Sequence, residues 1–90
     1  MLKAALVGAT GAVGQEFVLA LNKHPWFELT QIASSKRSAG KKYIDALRDK
    51  DSQVLKWQSK EQIPEYIRDT IVSDVEDIDS QKFDLIFNAL

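Results

Sequence analysis

Ala4-Ala5-Leu6-Val7-Gly8-Ala9-Thr10-Gly11-Ala12-Val13-Gly14-Gln15-Glu16-Phe17-Val18 is the stretch on which the fold turns. Ala4 to Val7 form a short apolar run closed by glycine, the pattern of a strand buried on both faces. The period then changes. Val13, Phe17 and Leu21 recur every fourth residue, with Val18 beside them, which predicts a helix with one apolar face. Gln15, Glu16, Asn22 and Lys23 are its polar remainder, and Pro25 is expected to end it. Between strand and helix, Gly8, Gly11 and Gly14 follow the spacing G-x-x-G-x-x-G. This is a relative of the dinucleotide fingerprint G-x-G-x-x-G. One glycine permits the tight turn, another lets backbone approach a pyrophosphate, and another lets helix and strand pack closely. The helix N-terminus then offers free N–H groups to phosphates, and Thr10 adds a hydroxyl. Gly8, Thr10, Gly11, Ala12, Val13 and Gly14 are therefore the candidate binding loop. The rival reading is a strand-to-helix turn that binds nothing.

Outward from this unit, Glu28 to Ser34 alternates and reads as a second strand. Tyr43 to Leu47 is expected to form one helical turn. Residues 48–62 are mostly polar, with Val54, Leu55 and Trp57 as isolated apolar contacts, and are expected to lie outside the core. Pro64 opens a short segment through Tyr66 and Ile67. Thr70 to Ser73 reads as a short third strand, Asp74 to Gln81 as an acidic turn region, and Asp84 to Asn88 as a fourth strand. Strands separated by crossovers imply a parallel sheet. The expected fold is α/β: a Rossmann-like parallel sheet with flanking helices, Ala4–Val7 between Leu29–Ala33 and Leu85–Phe87. The sequence stops at the carboxyl end of a predicted strand, where a ligand-contacting loop should begin. Residues 1–90 are therefore expected to be the N-terminal part of an NAD(P)-binding domain, incomplete at the C-terminus and unstable alone, with a catalytic and dimerisation domain elsewhere in a longer enzyme.

Composition bounds the alternatives. Ninety residues, 44% hydrophobic and 28% charged, with a net charge of −1, describe a globular chain rather than a disordered one. A domain this short buries roughly 60–70% of its unfolded surface, so its core is thin. No run approaches the roughly 18 apolar residues of a membrane span. Near-neutral charge makes no general case for nucleic acid. With no cysteine there is neither a disulfide framework nor a cysteine-based metal site. The N-terminal apolar run breaks at Gly8 and lacks signal-peptide architecture, so a cytoplasmic protein is expected.

A cofactor with a free 2′-hydroxyl is normally held by an acid at the end of the second strand, about 20 residues past the fingerprint. Here that place reads Ser34-Ser35-Lys36-Arg37-Ser38, and no acid occurs between Glu28 and Asp45. A 2′-phosphate needs neutral or cationic donors, and arginine can hold it in bidentate fashion. Ser35, Arg37 and Ser38 are the candidate phosphate ligands, and NADP rather than NAD is the expected cofactor. Lys41 and Lys42 read as solvated. So do Asp74, Glu76, Asp77 and Asp79, which have no histidine nearby to make a metal site. His24, the single histidine, reads as a capping or surface residue. Trp26, Phe27 and Trp57 read as packing at the rim. No catalytic residue and no metal ligand is identified.

Val7-Gly8-Ala9-Thr10-Gly11-Ala12-Val13-Gly14-Gln15, His24-Pro25-Trp26-Phe27-Glu28 and Ser34 through Tyr43 together resemble the N-terminus of aspartate-semialdehyde dehydrogenase, in its archaeal and fungal branch. The likeness continues more weakly through Ile63-Pro64 and Asp84-Leu85-Ile86-Phe87. It implies NADPH-dependent reduction of L-aspartyl 4-phosphate to aspartate 4-semialdehyde with release of phosphate, on the route to lysine, threonine and methionine. The family's reaction runs through a thioester on a cysteine that this chain does not contain, so only the cofactor site carries over. Thr10, Gly11, Ala12 and Val13 match the loop around the phosphates, and Ser35, Arg37 and Ser38 match the 2′-phosphate site. Asn88 to Leu90 lead toward the adenosine or nicotinamide side. The implied partners are a small-molecule substrate and, as a homo-oligomer, other copies of the protein, with neither nucleic acid nor membrane.

Two rivals stay open. Archaeal malonyl-CoA reductase looks similar in this region, and a non-catalytic NADP-binding sensor would keep the fold without a nucleophile. A nucleic-acid binder using Lys36 to Lys42 is the third class considered.

Overall fold

A computed structural model describes residues 1–90. The apolar run becomes β1 (Leu2–Val7), flanked by β2 (Phe27–Ser34) and β4 (Leu85–Asn88). A two-residue strand, β3 (Ser73–Asp74), pairs with the far side of β2, giving the order β3-β2-β1-β4. Every pair is parallel. Ala4 to Leu6 are fully buried, as expected for a strand with neighbours on both edges. One irregularity interrupts the register: Ala4 faces Leu29 but Ala5 faces Gln31, leaving Thr30 as a bulge.

The helical segments are α1 (Ala12–Ala20), α2 (Tyr43–Ala46) and α3 (Glu65–Arg68). Leu6, Val18, Ile32, Tyr43, Leu47, Ile67 and Val72 form the buried centre. Phe17, Phe27 and Phe87 pack beside it, with ring centroids 5.1 and 5.9 Å apart across the Phe17–Phe87 and Phe27–Phe87 pairs. Two tyrosine hydroxyls, that of Tyr43 buried and that of Tyr66 partly so, fasten the helical segments to the rest of the fold. Tyr43 donates to the Ala9 carbonyl at 2.7 Å, and Tyr66 donates to the Val18 carbonyl at 2.7 Å.

Four expectations need correction. Helix α1 ends at Ala20, not at Pro25, because Lys23 enters the left-handed region at φ 57° and reverses the chain first. Its apolar face is rotated: Val13 is exposed, whereas Val18, Leu21 and Gln15 are buried. Gly14 and Gln15, in the same turn, face the glycine loop and the Lys56 segment, and Val13 is left on the outer side. The third strand is Ser73–Asp74 rather than Thr70–Ser73. Thr70 and Val72 spend their backbone groups on the chain at 40–43 instead, through Tyr43 N–H to Thr70 at 2.9 Å, Gly40 N–H to Val72 at 2.8 Å and Val72 N–H to Lys41 at 2.8 Å. Finally, residues 48–62 are not wholly an excursion. Trp57 sets its ring edge-on to Tyr43 and joins the core rim.

Candidate dinucleotide site

The glycine loop lies where β1 leaves the sheet. Its turn is fastened to β2 by Gly8 and Ala9 N–H groups, which both donate to Ala33, and by a 2.8 Å hydrogen bond between the Thr10 and Ser34 hydroxyls. Gly8 adopts φ 84°, and a Cβ there would meet the Ala89 backbone at 2.9 Å. Gly14 sits where α1 crosses the loop, and a Cβ there would stand 2.1 Å from the Gly8 carbonyl oxygen. The protein's own packing therefore accounts for both.

Gly11 is different. Its φ of −78° suits any residue, and a Cβ would meet nothing closer than the Gly8 carbonyl at 3.8 Å. No internal contact requires glycine there. The position is exposed at the helix N-cap, with the Ala12, Val13 and Gly14 amides beside it free of protein acceptors and no acid in the first turn. An anion that approaches backbone closely accounts for both the missing side chain and the free donors.

Beside this loop, past the carboxyl end of β2, a cleft of about 230 Å³ opens. Thr10, Ser35, Arg37 and Ser38 line it, so the structure sets the basic turn beside one residue of the candidate loop, Thr10, whereas Gly8, Gly11, Ala12, Val13 and Gly14 do not line the cleft. The turn that presents Arg37 is closed by Ser38 and Ala39 N–H groups donating to Ser35. The cleft also collects Lys41, Arg48, Lys50 and Lys56, while no acidic side chain lines it. Lys41, expected to be solvated, thus joins the site. Lys36 and Lys42 do not: they pair with Glu76 at 3.8 Å and Asp69 at 3.9 Å. Arg48 and Lys56 are partly neutralised by Asp45 at 3.9 Å and Asp49 at 3.7 Å, whereas Arg37, Lys41 and Lys50 have no ion-pair partner. The Asp49 carboxyl is held below its ordinary pKa by the Ser52 and Asp51 amides, so its charge persists.

Gln15, a polar helix position by sequence pattern, is a functional residue of this site in the structure. It is 2% exposed and uses its whole amide: Nε2 donates to the Thr10 carbonyl at 3.1 Å and the Lys56 carbonyl at 3.2 Å, and Oε1 accepts from the Gln58 N–H at 2.8 Å. It binds the glycine loop to the segment that carries Lys56. Its place directly after Gly14 was the only sequence signal.

Asn88 to Leu90 reach the same edge. Ala89 N–H donates to Val7, and the Gly8 turn lies against Ala89 and Leu90. His24 stands away from the site, accepting from the Trp26 N–H at 3.1 Å, and Trp26 is exposed. Asp74 and Asp79 cap two short 3-10 turns by accepting from the Glu76 and Gln81 N–H groups. A larger concavity of about 630 Å³, lined by Met1, Leu21, His24, Phe27 and Tyr66, lies at the amino ends of β1 and β2. Parallel α/β sheets bind ligands at their carboxyl ends, so the smaller cationic cleft is the candidate.

The comparisons with known proteins agree with this fold. Residues 3–90 match the family model described as semialdehyde dehydrogenase, NAD binding domain. The chain is 41% identical over 87 residues to aspartate-semialdehyde dehydrogenase of Saccharomyces cerevisiae, covering 97% of this chain and 22% of that protein. It is 40% identical over 90 residues to the protein of the same name from Methanothermobacter thermautotrophicus, covering 100% and 24%. The crystal structure of aspartate semialdehyde dehydrogenase with NADP from Candida albicans superposes with a TM-score of 0.83 at 40% identity, over 100% of this chain and 23% of that one. The chain thus spans about a quarter of the length of the curated relatives it matches. With the glycine loop, the parallel sheet and a family match over nearly all its residues in agreement, this chain belongs to the semialdehyde dehydrogenase NAD-binding domain family.

Proposed function

We propose that this chain is the NADP-binding part of an aspartate-semialdehyde dehydrogenase, which reduces L-aspartyl 4-phosphate to L-aspartate 4-semialdehyde and releases phosphate. The observation that carries the cofactor choice is the acid-free cationic cleft at the end of β2, which Thr10 of the glycine loop also lines. An acid there would repel a 2′-phosphate, whereas Arg37 with Ser35 and Ser38 offers charge-assisted hydrogen bonds. The free amides at Ala12 to Gly14 would hold the pyrophosphate. Bound NADPH supplies the hydride. This chain's residues bind and orient the cofactor, and the acyl-transfer nucleophile comes from outside these 90 residues, which include no cysteine. The same proposal includes a cytoplasmic enzyme on the route to lysine, threonine and methionine, working as a homo-oligomer.

The test is the reverse reaction of the full-length protein, followed by absorbance of the reduced nicotinamide. Reduction of NADP in the presence of aspartate 4-semialdehyde should require inorganic phosphate. Activity with malonate semialdehyde and coenzyme A instead would make the protein a malonyl-CoA reductase. Nucleotide binding with no turnover of either aldehyde would leave it a sensor.

A further inference from the structure

We propose that the 48–58 loop is the second wall of the phosphate site, reading the 2′-phosphate through Lys50 and Lys56, and that buried Gln15 positions this wall. The inference rests on the NADP reading above and extends it to residues that the sequence reading left without a role.

Three observations carry it. First, the loop is a closed structure rather than a solvated tail. Arg48 and Leu55 form an antiparallel bridge, Asp49 N–H donates to Val54 at 2.8 Å, and Lys56 N–H donates to Leu47 at 2.8 Å. Second, the loop brings Lys50 and Lys56 into the lining of the cleft that Arg37 also lines. Lys50 has no acidic partner, so its charge is available to a ligand. Third, the loop is keyed to the glycine turn by one side chain. Gln15 is on the phosphate-binding helix, yet its amide grips the Lys56 carbonyl and the Gln58 N–H across 41 and 43 residues of sequence. A buried amide whose donors and acceptor are all used fixes distance and orientation together, because leaving any of these groups unpaired is costly. The Lys56–Gln58 segment is therefore held in register with the glycine turn. A bare ribose hydroxyl gains nothing from the added cations; a phosphate dianion does.

The experiment uses the full-length protein and titrates NADP and NAD into Lys50→Ala/Lys56→Ala, with Arg37→Ala in parallel. Both lysines are exposed, so the double variant should fold as the parent does. Partly hydrated ion pairs of this kind change affinity by about two- to fivefold each, so the double variant should weaken NADP by about tenfold at low salt and leave NAD unchanged. The difference should shrink as salt is raised. Equal affinities for parent and double variant, or equal losses for both cofactors, would overturn the second wall. Arg37→Ala decides the underlying reading separately: loss of NADP alone supports it, and equal loss of both cofactors sinks it.

Gln15→Glu tests the positioning role. A carboxylate in place of Nε2 faces two carbonyl oxygens, so the Lys56 segment should be pushed away. NADP should weaken more than NAD. That excess should vanish when Lys50 and Lys56 are already alanine, a non-additivity that simple structural damage would not produce. An excess that persists in the lysine-free background would show that Gln15 does not act through this wall.

Discussion

Gly11 and Gly14 stand three residues apart in one motif, but the structure gives them different reasons to be glycine, and paired alanine substitutions should separate them. At Gly14 a Cβ would lie 2.1 Å from the Gly8 carbonyl oxygen and 2.8 Å from the Ala9 backbone. These are backbone atoms, so no side chain can swing aside, and α1 must retreat by about 1 Å to restore van der Waals contact. Overpacking of this kind costs about 1–3 kcal/mol, while alanine in a helix recovers about 1 kcal/mol over glycine. Because the clash is with backbone at 2.1 Å, the upper end of that strain applies, and it should win by up to about 2 kcal/mol. At Gly11 an alanine Cβ meets nothing closer than 3.8 Å in an ordinary backbone conformation. The weaker cap and the stiffer unfolded chain nearly cancel, leaving stability within about 0.5 kcal/mol of the parent. Its cost should appear in binding instead. The added carbon stands where a pyrophosphate must approach, and losing one charge-assisted hydrogen bond weakens affinity by about tenfold to a hundredfold. Gly11→Val should be worse. NADP and NAD should suffer alike, since both carry the pyrophosphate. Denaturant melts and nucleotide titrations of the two variants are the assay. A Gly14→Ala protein as stable as the parent would refute the packing argument. A Gly11→Ala protein with unchanged affinities would refute the binding argument.

Other expectations follow from single contacts. Tyr43→Phe leaves the buried Ala9 carbonyl without its hydrogen bond and should destabilise the protein by about 1–2 kcal/mol, read as a lower denaturation midpoint at unchanged slope. Burial pushes the Tyr66 hydroxyl up to about 12, and burial together with the neighbouring Tyr66 raises Tyr43 further. Both exceed the unfolded value near 10, so the native state holds more protons above that pH. Their contribution should be complete below about pH 10 and lost as pH rises toward 12, with ultraviolet titration showing two late tyrosines that ionise normally in denaturant. The 90-residue chain alone buries only 19 residues and exposes Leu85 and Ile86 on an edge strand, so it should lack a cooperative thermal transition. A sharp melt of the monomer would count against that.

The unit β1–loop–α1 was legible because its determinants are local. The change from a continuous apolar run to a fourfold period marks the strand-to-helix junction, and the glycine spacing lies inside it. The basic turn was legible too, since the end of β2 falls at a predictable distance from the fingerprint, and the missing acid is a statement about composition alone. What the sequence could not determine are relations between distant residues. Gln15 reads as a polar helix position, and only docking of Lys56 and Gln58 against it makes it a buried clamp. Arg48, Lys50 and Lys56 read as scattered charges until the loop closed by the bridge between Arg48 and Leu55 gathers them in one cleft with Arg37. Val13 repeats correctly with Phe17 and Leu21 but is exposed, because periodicity carries no information about what stands opposite. The third strand was displaced because Thr70 and Val72 had already committed their backbone groups to residues 40–43, a competition among hydrogen bonds that only the assembled chain resolves. Periodicity and spacing report which face a residue presents; the partner on that face is chosen by tertiary packing.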